Sequence, residues 1–168
     1  LDQLTEELIR MDKAQIDRFG LESNSDLERY RQTFAPALRR CFAVTVPKTD
    51  EVVVEDRGTT NKGDYTVQRL VIGRKGAGDA IPALYCLPKS EKSGTPVLMV
   101  HPAGKSALMD GDNPGEDVRA ILNKHQPVLL IDCFLTGDAD KQDERLHEKF
   151  FTSFYRTDAA ERVQDIVT

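Results

Sequence analysis

Long hydrophobic runs are missing from this chain of 168 residues. Apolar runs such as Val128–Ile131 are far short of the roughly 20 residues that a membrane helix needs, so no membrane span is expected. A basic surplus is missing too. Lys and Arg number 23 against 28 Asp and Glu, for a formal net charge of -5. That balance argues against a nucleic-acid binder, which carries a basic patch or stripe. Cysteine is scarce, and Cys41, Cys86 and Cys133 are far apart, odd in number and set among apolar residues. They read as buried free thiols. His101, His125 and His147 form no His-x-x-x-His, and no Cys-x-x-Cys occurs, so no metal set and no cofactor are expected. Asp110–Gly115 is acidic but lacks the spacing and terminal Glu of a calcium loop, and reads as solvated. No Gly-x-Ser-x-Gly occurs, and Ser106 and Ser153 lack a strand–elbow–helix context. No complete Ser–His–acid set is therefore expected within these residues.

What is present is a chain with 39% hydrophobic and 30% charged residues, enough for one soluble domain with a core. The first residue is Leu1 rather than Met, so an N-terminal segment is expected to have been removed. This leaves the compartment open, with export possible had a signal peptide gone with it. Residues 1–20 read as a helix, with Leu1, Leu4, Leu8 and Met11 at spacings of three and four and Gly20 as a stop. A second helix follows, with Ser25 and Glu28 as a capping box and Leu27, Tyr30, Phe34 and Leu38 on one buried face. Pro36 is placed to interrupt it near its end.

The period then changes. Val52–Glu55, Tyr65–Ile72 and Ala80–Leu87 read as three neighbouring antiparallel strands, with a turn at Asn61–Asp64. Pro82 marks an irregular or edge position in the third. Residues 88–96 read as an exposed loop. Val97–Val100 and Pro127–Phe134 are continuous apolar strands, read as a parallel pair buried on both faces, with a helix over Glu116–His125 between them. That helix turns Val118, Ile121 and Leu122 inward. Residues 135–156 are irregular and polar with late aromatics, and Thr157 caps a last helix. That helix shows no closing signal at Thr168, so the chain is expected to be a piece of something longer. Residues 1–48 thus make a helical extension and residues 49–168 a partial α/β domain.

The loop His101-Pro-Ala-Gly-Lys105 carries the chemistry. Pro102 has no N–H, so the first donors after the strand are the amides of Ala103 and Gly104. Fixed amides about 3 Å from a developing negative charge make an oxyanion hole. His101 is read as shaping the loop rather than acting as a base. Gly104-Lys-Ser106 offers a nucleotide-binding alternative, but the phosphate-loop pattern needs Gly where Met99 stands.

Taken together these residues resemble the first half of an α/β-hydrolase, closest to the acetyl xylan esterase and dienelactone hydrolase branch. The resemblance rests on Tyr65–Ile72 with Ile81–Pro88, on Pro96–Gly104, and on Phe151–Thr168, above all Arg156–Ile166. It covers about residues 50–168. It implies a serine carboxylic-ester hydrolase acting on acetylated carbohydrates or other small esters, with Ala103 supplying an oxyanion amide. Many relatives have Gly where Pro102 stands. Arg162 and Asp165 match a recurring Arg-x-x-Asp, implied to be structural. The nucleophile, acid and His are expected after Thr168, so the chain alone is expected to be inactive. The implied partner is the missing C-terminal half, or a second copy, at an open sheet edge. A catalytically dead module of the same fold is the alternative.

Overall fold

The computed structural model describes residues 2–18, 20, 22–90, 94–139 and 156–168. Phe150, Phe151, Phe154, Tyr155, His147 and Ser153 lie outside them. The chain divides into two compact units, Leu1–Ala43 and Val44–Thr168.

The first unit holds α1 (Asp2–Asp17) and α2 (Asn24–Phe42). The cap of α2 is Ser23 rather than Ser25. The Ser23 hydroxyl accepts a hydrogen bond from the Asp26 amide at 3.2 Å and donates to the Asp26 carboxylate at 2.5 Å. Ser23-Asn-Ser-Asp26 fits the capping spacing as well as Ser25 to Glu28 does, and the earlier pair starts the helix. Pro36 lies inside α2, which runs on to Phe42. Tyr30 and Phe34 stack with ring centroids 4.5 Å apart, but no α2 residue is buried, contrary to the expected buried face. Cys41 is likewise exposed, whereas Cys86 and Cys133 are buried and free. Burial pushes the thiols of Cys86 and Cys133 up to about 11, so both stay protonated near neutrality.

The second unit is built on a sheet of five strands among the described residues: β1 (Val52–Lys62), β2 (Tyr65–Arg74), β3 (Ile81–Pro88), β4 (Val97–Val100) and β7 (Val128–Ile131). Their spatial order is β1-β2-β3-β7-β4. The first three form the expected antiparallel meander. The pair β4 and β7 is parallel, with Val97 opposite Val128 and Val100 opposite Ile131. A short hairpin, β5 (Met109–Asp110) and β6 (Asn113–Pro114), precedes α3 (Glu116–Leu122), and α4 (Asp158–Val167) closes the described chain. This is a mixed α/β architecture, mostly antiparallel with one parallel pair, as expected.

Alternation along β7 splits the core between the two sheet faces. Val128 and Leu130 join Val67, Cys86, Val118 and Leu122 on one face, so α3 covers it. Ile131 joins Ile81, Ala83 and Cys133 on the other. Strand β7 is buried, but β4 is an edge strand with Leu98 and Val100 about two-fifths exposed on the second face. The expectation that both strands are buried on both faces therefore holds for β7 only. Pro82 sits inside the sheet, not at its edge. Its carbonyl accepts the Asp132 amide at 2.9 Å, but its nitrogen returns no bond, so the β3–β7 ladder stops at Ala83–Ile131. The chain after Ile131 is thereby released from the sheet.

Helix α4 starts as expected. The Thr157 hydroxyl accepts the Ala160 amide at 3.2 Å, with Asp158 and Glu161 in the first turn. Buried Gln164 exchanges two hydrogen bonds with the backbone of Thr45, 2.9 and 2.8 Å long, which ties the lead-in of β1 to α4.

Candidate functional site

In open parallel sheets the useful place is outside the C-terminal ends of the strands. Here β4 and β7 end side by side, so two loops leave the same spot: His101–Lys105 and Asp132–Gly137. Their residues meet because the strands are in register, although 27 positions separate Lys105 from Asp132.

The Asp132 side chain is fully buried. One of its oxygens accepts the backbone amide of Lys105 at 2.5 Å, and the other accepts the amide of Asp138 at 2.8 Å. The Lys105 ammonium, whose side chain is one-tenth exposed, bonds to the same carboxylate and reaches Asp138 at 2.5 Å. A buried charge must be paired to be tolerated. This one is met by a cation and two amides. The pairing also locks the two loops together.

Two glycines make the approach possible. Gly104 has φ +85°, and a Cβ there would lie 2.5 Å from Gly137 Cα and 2.7 Å from Asp132 Oδ1. Gly137 has φ +52°, and a Cβ there would meet the Asp132 carboxylate. Both positions therefore need glycine for conformation and for space.

The structure gives partners to both nominated amides. Gly104 N–H donates to the His101 carbonyl at 2.9 Å, closing the turn. Ala103 N–H donates to the Nδ1 atom of His101 at 3.1 Å, a side chain rather than a carbonyl. His101 thus shapes the loop as anticipated, and its neutral ring carries its proton on Nε2 when it accepts at Nδ1. The two amides differ in kind: one is committed to the backbone turn, the other is held by a rotatable ring.

The other side of the Asp132 loop is held by α4. The Arg162 guanidinium donates to the Phe134 carbonyl at 2.9 Å, and the Asp165 carboxylate accepts the Phe134 amide at 2.7 Å. Leu135 next to it has φ +54°. Arg162 and Asp165 are therefore hydrogen-bonding residues that fix the loop. Burial pushes the Asp165 carboxyl up to about 6, against the pull of the Phe134 amide.

A cavity of about 320 Å³ is lined by Lys105 and Asp138 together with Val67, Ala83 and Leu84. The buried Lys105–Asp132 pair was missed at the sequence level. Its one signal was Lys105 just past the end of an apolar strand and Asp132 at the end of a second one. Among the described residues no group of His, Cys, Asp and Glu is arranged to hold a metal ion. No described helix is long and apolar enough to cross a membrane.

No family model matches the chain, and no curated protein matches it. Solved structures do. A protein assigned as an acetyl xylan esterase from Bacteroides fragilis NCTC 9343 superposes with a TM-score of 0.55 at 10% identity, over 71% of this chain and 33% of that one. Acetyl xylan esterase 1 from Thermoanaerobacterium sp. JW/SL YS485 gives a TM-score of 0.39 at 15% identity, over 60% of this chain and 29% of that one. The first likeness shows a shared fold, and the chain spans about one third of that esterase's length.

Proposed function

We propose that this chain is the N-terminal part of a serine carboxylic-ester hydrolase of the acetyl xylan esterase type. The observation that carries the reading is the parallel β4–β7 pair, from whose C-terminal ends two loops leave side by side and lock together, one of them bearing the Ala103 amide. The likeness to the Bacteroides fragilis fold supports it. In this reading Ala103 supplies the oxyanion amide. Its bond to the His101 ring is the one that substrate replaces, and Gly104 provides the turn that aims it. Preorganised amides stabilise the tetrahedral intermediate because they are paid for in folding, before charge develops. The Lys105–Asp132 pair keeps the loop from relaxing as that charge appears.

The serine, acid and histidine come from sequence beyond Thr168, and small acetyl esters, including acetylated carbohydrates, are the substrates. The exposed β4 edge receives the next strand of the same protein, or a second copy of this chain. The test is acetate release from an acetylated xylo-oligosaccharide by protein extended past Thr168, beside residues 1–168 alone. The extended protein should turn over and the shorter chain should not. An extended protein that contains Gly-x-Ser-x-Gly, folds, and releases no acetate from this or any small acetyl ester contradicts the reading.

A further inference from the structure

The cavity beside Lys105 has a feature that ester chemistry does not require. Strand β1 is paired with β2 residue by residue until Asp56 opposite Leu70, and resumes at Gly58 opposite Arg69. Arg57 is the extra residue of a β-bulge. Gly58 has φ +121°, and its amide donates to the Asp56 carboxylate at 2.7 Å, which fixes the bulge. A bulge re-aims a side chain. Here Arg57 lines the cavity together with Arg69, so two arginines border one site.

Their pairing is uneven. Arg57 pairs with Glu55 at 2.8 Å with both side chains exposed, while Arg69 has no acceptor among the described residues. Lys105, which also lines the cavity, is already held by Asp132 and Asp138. The lining also holds the apolar residues Val67, Val71, Pro82 and Leu84. The volume, about 320 Å³, is at the lower end of the range for small-molecule sites.

We infer that this cavity binds a small organic monocarboxylate, its apolar body against β2 and β3 and its carboxylate on Arg69, with Arg57 closing over it. A carboxylate suits the planar fork of a guanidinium. Inorganic phosphate suits this site less well, because it has no apolar body to set against Val67, Val71, Pro82 and Leu84 and would face Asp112 and Asp138 with the greater charge. The site stands on its own geometry, independent of the ester-hydrolase reading.

The experiment titrates residues 1–168 with benzoate and follows the arginine side-chain NMR signals. Benzamide serves as the neutral isostere and inorganic phosphate as the doubly charged control. Benzoate should shift Arg69 saturably, with benzamide and phosphate each at least about tenfold weaker. Arg69→Gln should weaken benzoate at least about tenfold and leave the thermal midpoint in place, because Arg69 is exposed. Absence of saturable benzoate binding overturns the site, as does equal binding of benzamide or phosphate, or an unchanged affinity in a folded Arg69→Gln protein. The benzoate–benzamide comparison on the unmutated chain decides the matter even if that variant does not fold.

Discussion

Lys105 shows what a single residue does at this site. Its ammonium is almost out of water and answers a carboxylate that is wholly out of water. Removing one member of such a pair leaves the other buried and uncompensated, at a cost of about 3–5 kcal/mol. Lys105→Met should therefore destabilise the protein by about that amount in urea unfolding, and Lys105→Met with Asp132→Asn should recover part of the loss. Equal instability of the single and double variants would contradict the pairing. Gly104→Ala tests the close approach separately. A methyl group at φ +85°, against Gly137 and Asp132, should cost roughly 1–3 kcal/mol in the same measurement. A neutral outcome would mean that the two loops are not locked together.

At the scale of elements, α4 acts as a clamp on the loop after β7, and Asp165 makes the clamp sensitive to pH. Its folded-state pKa, about 6, lies above the ordinary value of 3.8. Across that window the native protein keeps a proton that the unfolded chain has released. The stability that Asp165 contributes is thus greatest below about pH 4 and falls as pH rises through about 6. Asp165→Asn keeps an acceptor for the Phe134 amide and removes the titration. The variant should gain stability relative to the parent as pH rises from about 4 to 6, by denaturant unfolding at each pH. A constant difference across the window would reject the assignment.

Much of this element plan was legible in sequence. Continuous apolar runs at Val97–Val100 and Val128–Ile131 specify a parallel pair because such strands sit among other strands and helices. Thr157 specifies the start of α4 by its hydroxyl. Other features were hidden for physical reasons. In sequence the first strand ends at Glu55 and a turn falls at Asn61–Asp64, whereas β1 runs on through the polar stretch to Lys62 by pairing with β2. The apolar pattern of Leu98 and Val100 does not reveal that β4 lies at an edge. The Lys105–Asp132 contact depends on strand register, which no local pattern carries.

At the scale of the molecule, a five-stranded sheet ends at a four-residue strand with apolar side chains in solvent. Leu98, Val100, Val54 and Ile166 are all about two-fifths exposed or more, and a groove of about 170 Å³ runs between α4 and this face. Unpaired edges with apolar neighbours invite association. Residues 1–168 should therefore self-associate in light scattering, and Leu98→Lys should shift the population toward monomer. A parent chain that stays monomeric at high concentration would contradict an open edge at β4.

The central claim is that the Ala103 amide, not a side chain, meets the developing negative charge. The direct measurement is kcat for acetyl-ester hydrolysis by the protein extended past Thr168, with and without Ala103→Pro, which deletes that one N–H. With the fold verified by thermal unfolding, the account predicts a loss of about 100- to 1,000-fold in kcat and little change in KM. An unchanged kcat in a folded variant would contradict it.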